Sequence, residues 1–171
     1  MQQNKNLPQT VVDTMSRKRL QNEEKQIKEK FKNGQMPDNI ELSPVIEEGT
    51  KNLFKWNLVI KGRPGTLWEG GVYRFLIDYN GSIFNPPIVT AENKEFKHIH
   101  LYEDQKICLG MITEGIWNME TPLFMIAIEI EDLIHREPNT TSPANYVLCE
   151  KFMKSPQEYE KYIKEIARNC V

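Results

Sequence analysis

Between Lys97 and Gly110 the sequence carries a thiol, Cys108, held in the run Ile107-Cys108-Leu109, with His98 and His100 upstream. A thiol does nucleophilic chemistry only as the thiolate, so it needs a partly exposed place on a rigid wall. Ile107 and Leu109 can pin the backbone while the charged loop Glu103-Asp104-Gln105-Lys106 leaves the sulfur reachable. The plainer reading is a buried, inert thiol, the usual fate of cysteines among aliphatics. Two other chemistries use the same residue types. Zinc needs three or four ligands. His98, His100 and Cys108 supply three at most, no C-x-x-C pair adds to them, and His135 is expected to face solvent from a helix. A Cys-His-Asn hydrolase needs a histidine within hydrogen-bond reach of the thiol, which spacing alone does not give. No Walker-type phosphate loop is present.

The elements around this stretch follow from periodicity. Residues 1–12 are expected to be a disordered tail, and a helix is expected from Asp13 to about Asn33, stopped by Gly34 and Pro37. Its apolar stripe is thin: Leu20, Ile27 and Phe31. Arg17, Lys18 and Arg19 sit in its first turns, by default a solvated face. Period-two alternation marks Ile40–Ser43, the run with Phe54, Trp56, Leu58 and Ile60, and the run Tyr73–Tyr79. A short last strand follows Pro86-Pro87. Turns at Glu47–Thr50, Gly62–Gly65 and Asn80-Gly81 make this an antiparallel sheet with one face covered. From Leu123 the period becomes helical, with Ile126, Ala127, Ile130, Leu133 and Ile134 on one face. Ser142-Pro143 and Ser155-Pro156 read as two further helix starts, the second with a capping box to Glu158. Tyr159, Tyr162, Ile163 and Ile166 form the last apolar face. Cys149, on a stripe with Tyr146 and Phe152, reads as core, and Cys170 as a residue of the tail.

A chain of 171 residues with 39% hydrophobic and 27% charged residues fits one soluble domain, here residues 13–171. A net charge of −2 gives no overall pull towards nucleic acid. No apolar run is long enough to span a membrane, and the first residues resemble no signal peptide or lipidation motif. Three widely spaced cysteines make no disulfide framework, so a cytoplasmic or nuclear setting is expected.

Taken in order, Trp68-Glu69-Gly70-Gly71, Pro86-Pro87, His98, Ile107-Cys108-Leu109, Trp117, Glu137-Pro138-Asn139 and Ser142-Pro143-Ala144-Asn145 resemble the catalytic domain of the ubiquitin-conjugating enzymes. That family has its cysteine ten residues after the histidine of a His-Pro-Asn, the spacing from His98 to Cys108. The resemblance covers nearly all of the chain after residue 14. It implies an α+β fold: an N-terminal helix, a four-stranded antiparallel sheet, a central helix packed on it, and two C-terminal helices. It implies that Cys108 takes ubiquitin or a ubiquitin-like protein as a thioester from an activating enzyme and passes it to a substrate lysine or a ligase. No cofactor is implied on this chain, since ATP is used by the activating enzyme. Arg17, Lys18 and Arg19 correspond to the face that docks the activating enzyme, and Phe84 and Trp117 to loops that touch ligases; Phe84 reads equally as core. Tyr102 corresponds to a residue that lines the path of the incoming lysine in the SUMO-conjugating branch.

The departures are local. His98-Ile99-His100 stands for His-Pro-Asn, Ser82-Ile83 for Tyr-Pro, and Asn118-Met119-Glu120 for Ser-Pro-Ala. The family's asparagine orders the loop and helps the oxyanion. His100 either replaces it as a donor, more strongly as an imidazolium, or points elsewhere. Ser142 replaces an aspartate of the SUMO branch, whereas the long stretch from Pro44 to Trp56 leans towards that branch. Cys108 to Trp117 spans nine residues, between the two branches. The alternative function is a catalytically weakened variant that acts as a binding scaffold.

Overall fold

The computed structural model describes residues 7–171. The first helix, α1, runs Gln9–Lys32. It starts four residues before Asp13 because the Pro8 carbonyl accepts the Val11 and Val12 amides and so begins the turn. Gln9–Val12, expected as tail, are therefore helical, and residues 1–6 of that expected tail lie outside the described residues. The strands are β1 (Ile40–Glu47), β2 (Thr50–Lys61), β3 (Val72–Asp78) and β4 (Ile88–Ala91). Among the described residues they form one antiparallel sheet in the order β1-β2-β3-β4. Helices α2 (Leu123–His135), α3 (Tyr146–Lys154) and α4 (Pro156–Asn169) follow. This is the expected α+β architecture.

The alternation of β2 and β3 puts Trp56, Leu58, Ile60, Tyr73, Phe75 and Ile77 on the covered face. The expected face of α2 is buried in full, from Leu123 to Ile134. The long stretch after Pro44 is taken up by a register shift: Pro44 pairs with Trp56, and Val45 with Asn52.

Two glycines near Trp68 have no room for a side chain. A Cβ on Gly62 would sit 1.8 Å from the Trp68 carbonyl oxygen, and one on Gly71 2.1 Å from the Tyr73 hydroxyl. The same Trp68 carbonyl accepts the Tyr73 hydroxyl at 2.8 Å.

Two polar clamps hold the helices, and neither shows in the hydropathy pattern. The buried Glu23 carboxylate of α1 accepts the Leu123 amide at 3.0 Å, filling the open N-terminus of α2. Arg19 donates to Glu23 at 3.0 Å and to the Thr121 carbonyl at 2.5 Å. At the other end of α2, Glu131 accepts from Asn39 at 2.7 Å and from Arg63 at 2.6 Å through Nε, with a second bond from Nη2. His135 belongs to this clamp and does not face solvent. Its side chain is buried, and its Nε2 accepts the Arg63 amide at 2.9 Å.

The C-terminal helices bring further corrections. α3 starts at Tyr146, not at Ser142-Pro143. The Ile99 carbonyl takes the Ala144 and Asn145 amides, and the Asn145 side chain caps Leu148 at 3.0 Å. Ser155 stands at the start of α4 without a side-chain cap. Tyr162, Tyr146 and Phe31 are exposed, whereas Cys149 is core. Cys170 is fully buried, and its carbonyl accepts the Val72 amide at the start of β3.

Candidate active site

Cys108 is placed by hydrogen bonds on both sides of its segment. On one side the chain lies along β4: the Ala91 amide donates to the Gln105 carbonyl at 2.8 Å and the Ile107 amide to Val89 at 2.9 Å. On the other, the Tyr102 amide donates to Lys106 at 2.9 Å and the Cys108 amide to His100 at 2.7 Å. Ile107 and Leu109 are buried, and the thiol between them is half-buried. It opens into a shallow groove of about 240 Å³ with Pro86, Pro87, Ile88, Tyr102, Ile112 and Thr113. The wall is rigid and the sulfur can be reached.

Tyr102 shares this groove with the thiol. Its phenol is pushed above the ordinary tyrosine range, first by hydrogen bonding to Cys108 and then by the charge there, with burial and Asp104 adding less. The phenol therefore keeps its proton at neutral pH and can donate it to a thiolate, the stronger kind of hydrogen bond. Lys106, at the rim of the groove, is paired with Asp104 at 2.7 Å.

The histidines lie behind this wall. His98 is buried against Trp68 and Phe96, and its Nδ1 accepts the His100 amide at 3.1 Å. Burial, then the neighbouring His100, push its pKa down to about 3. The His100 ring is buried too, and its Nε2 accepts the Asn139 amide at 3.1 Å. An Nε2 that accepts leaves the ring proton on Nδ1. Burial, then Arg136, lower the His100 pKa as well. The imidazolium donor considered above is thus disfavoured. Among the described residues no three His, Cys, Asp or Glu side chains are grouped as metal ligands.

The chain is similar to known proteins along most of its length. The family model described as ubiquitin-conjugating enzyme matches residues 19–167. The chain belongs to the ubiquitin-conjugating enzyme family. It is similar to a SUMO-conjugating enzyme of Dictyostelium discoideum, 30% identical over 68% of this chain and 74% of the relative. A SUMO-conjugating enzyme of Caenorhabditis elegans is 31% identical over 70% of this chain and 72% of its own length. A ubiquitin-conjugating enzyme of Yarrowia lipolytica is 25% identical over 90% of this chain and 95% of its own.

The other expected positions of this family member divide. Arg17 and Lys18 are exposed on α1, with the Arg17 guanidinium 5.3 Å from the Phe54 ring centre. Arg19 is turned inward into the Glu23 clamp and is not part of that exposed face. Phe84 and Trp117 are both half-buried and share one loop cluster. The Trp117 Nε1–H donates to the Ile83 carbonyl at 3.0 Å, and the Ile83 amide donates to Ser16 of α1 at 3.3 Å. Ser142 is exposed. Sequence reasoning missed Asn139 as the partner of His100 and Ile99 as the anchor of α3. Both act through backbone groups, and no side-chain pattern marks those.

Proposed function

We propose that this member of the ubiquitin-conjugating enzyme family carries a ubiquitin-like protein as a thioester on Cys108. The Cys108 thiolate attacks the thioester carbonyl on an activating enzyme, a C–S bond to Cys108 forms, and the activating enzyme's thiolate leaves. A substrate lysine amine, or a ligase thiol, then attacks the same carbonyl. The new C–N or C–S bond forms, the Cys108 thiolate leaves, and the attacking group gives up its proton. ATP is spent on the activating enzyme, so no cofactor is needed here.

The observation that carries this reading is the pinned, half-exposed thiol in a groove it shares with Tyr102. Tyr102 steadies the departing thiolate and lines the approach of the amine. Arg17 and Lys18 serve the activating enzyme, and the Phe84 and Trp117 loops serve a ligase. Three free thiols suit a cytoplasmic or nuclear setting. Two of the similar proteins are SUMO-conjugating enzymes by name, so SUMO is the first modifier to try and ubiquitin the second. A second reading, a binding scaffold of weakened activity, draws on one observation: His98-Ile99-His100 where the family has His-Pro-Asn.

Charging decides between them. The protein is mixed with the matching activating enzyme, ATP, and either SUMO or ubiquitin, and run on a non-reducing gel. The expected result is an adduct with one modifier that thiol reductant removes and Cys108→Ala abolishes. An adduct that survives in Cys108→Ala, or none with either modifier, overturns the thioester reading.

A further inference from the structure

Residues 136–145 join α2 to α3, and they are held to the dipeptide Ile99-His100 at two points, with a longer contact from the Cys149 thiol to the Thr140 carbonyl at 4.0 Å. The His100 Nε2 takes the Asn139 amide at 3.1 Å. The Ile99 carbonyl takes the Ala144 and Asn145 amides at 2.9 and 2.8 Å. Between these points Asn139 turns the chain, its Oδ1 accepting the Thr141 amide and hydroxyl at 3.0 and 2.7 Å. The His100 carbonyl, in turn, holds the Cys108 amide. One residue therefore links the joining segment to the nucleophile's backbone.

We propose that His100 is a positioning residue whose Nε2, as acceptor of the Asn139 amide, latches the joining segment beside the cysteine, and that protonating the ring opens this latch. Its effect on transfer rests on the thioester reading given above. Protonation would set an Nε2–H against the Asn139 N–H, two donors face to face, and the bond is lost. The groups around the ring resist the charge. His98, from the preceding loop, lies 5.6 Å away between ring centres and spends its Nδ1 on the His100 amide. Arg136, at the end of α2, adds positive charge, although Glu129 and Asp132 bind its guanidinium. Cys108 meets His100 through its backbone amide. Among the described residues no carboxylate is hydrogen-bonded to the His100 ring to favour its charged form. The latch is closed at neutral pH and opens on acidification. The sign is opposite to that of a protonated oxyanion donor, which would gain as pH falls.

The test has two arms. In the uncharged protein, NMR reads the His100 ring nitrogens and the exchange of the Asn139 amide. At about pH 7.5, Nδ1 should be protonated, Nε2 bare and the amide protected; at an acid pH where the same spectra show the ring protonated, protection should be lost. His100→Phe, which fills the space without an acceptor, should leave the amide exchanging at least about tenfold faster at both pH values. His100→Asn offers a carbonyl that does not titrate, and should keep protection at both. A protonated Nε2 at neutral pH, or an Asn139 amide as fast in wild type as in His100→Phe, overturns the latch.

The second arm is single-turnover discharge of preloaded protein to free lysine. The amine's own titration cancels in the ratio of wild type to His100→Asn. That ratio should fall severalfold, about three or more, between about pH 7.5 and the acid pH at which the first arm shows the ring protonated. A flat ratio in protein that charges normally overturns the positioning role. If the amide behaves as expected and Cys108 never charges, the latch stands and the thioester reading is the one that fails.

Discussion

Cys108 is the one cysteine whose sulfur is in reach; Cys149 and Cys170 are buried. Burial also pushes the Cys170 thiol up to about 11. Limiting iodoacetamide at neutral pH should therefore label Cys108 alone, with the other two labelled only after unfolding, as peptide mass mapping would read. Tyr102→Phe removes a donor to the thiolate and should slow that labelling roughly three- to tenfold. Equal labelling of all three thiols in the folded protein would remove the special status of Cys108. Cys108 is legible in the sequence because its setting is local: two flanking aliphatics and a charged loop. The role of His100 is not legible. Its partner is a backbone amide 39 positions away, and a ring that can donate or accept shows its choice only when that partner is in place.

On the scale of elements, the Arg19–Glu23 pair changes how the basic end of α1 is to be tested. Glu23→Ala leaves the Leu123 amide without its acceptor and should cost about 1–3 kcal/mol in denaturant unfolding. Glu23→Gln keeps an oxygen there and should cost less. Arg19→Glu should lower the melting temperature, because it sets a second carboxylate against Glu23. Reversing Arg17 and Lys18 should leave the melting temperature alone and slow charging, each contact contributing about 0.2–1 kcal/mol. Normal charging by that double variant would return the face to plain solvated surface. The apolar faces of β2, β3 and α2 are legible because burial repeats with the period of the element. The starts of α1 and α3 are misplaced by four residues or so, since carbonyls of Pro8 and Ile99 set them. His135 is misjudged for a related reason: a polar ring under a loop looks, in sequence, like one facing water.

Across the whole molecule, the three histidines share one habit. Each accepts a backbone amide through a ring nitrogen: His98 from His100, His100 from Asn139, His135 from Arg63. All three have lowered pKa values, and burial is the first cause in each. A group whose folded pKa is depressed in this way stays neutral while the unfolded chain takes up its proton. Stability is thus full above about pH 6.5 and falls as pH drops from there towards the folded values. Each histidine that stays neutral contributes a slope of about 1.4 kcal/mol per pH unit, so three give about 4. Glu131, held below the usual carboxylate range by Arg63 and Asn39 against its own burial, adds loss in the same direction at lower pH. Against a typical stability of about 5–15 kcal/mol this loss is large, so stability is expected to fall steadily as pH drops below about 6.5. Denaturant melts at a series of pH values check this. Uptake of less than one proton on unfolding just below pH 6 would contradict it.

The register shift after Pro44 has a consequence for how copies of this chain meet one another. β4 is flanked by the cysteine segment, which among the described residues leaves β1 as the open border of the sheet. An open border invites a second strand to dock and fibrous assemblies to grow. Here proline withholds a donor midway along β1, and the shift beside it breaks the straight run of pairing groups. Restoring the donor with Pro44→Thr should leave the Cys108 groove untouched and make the protein associate in a concentration-dependent way on warming, which light scattering would register.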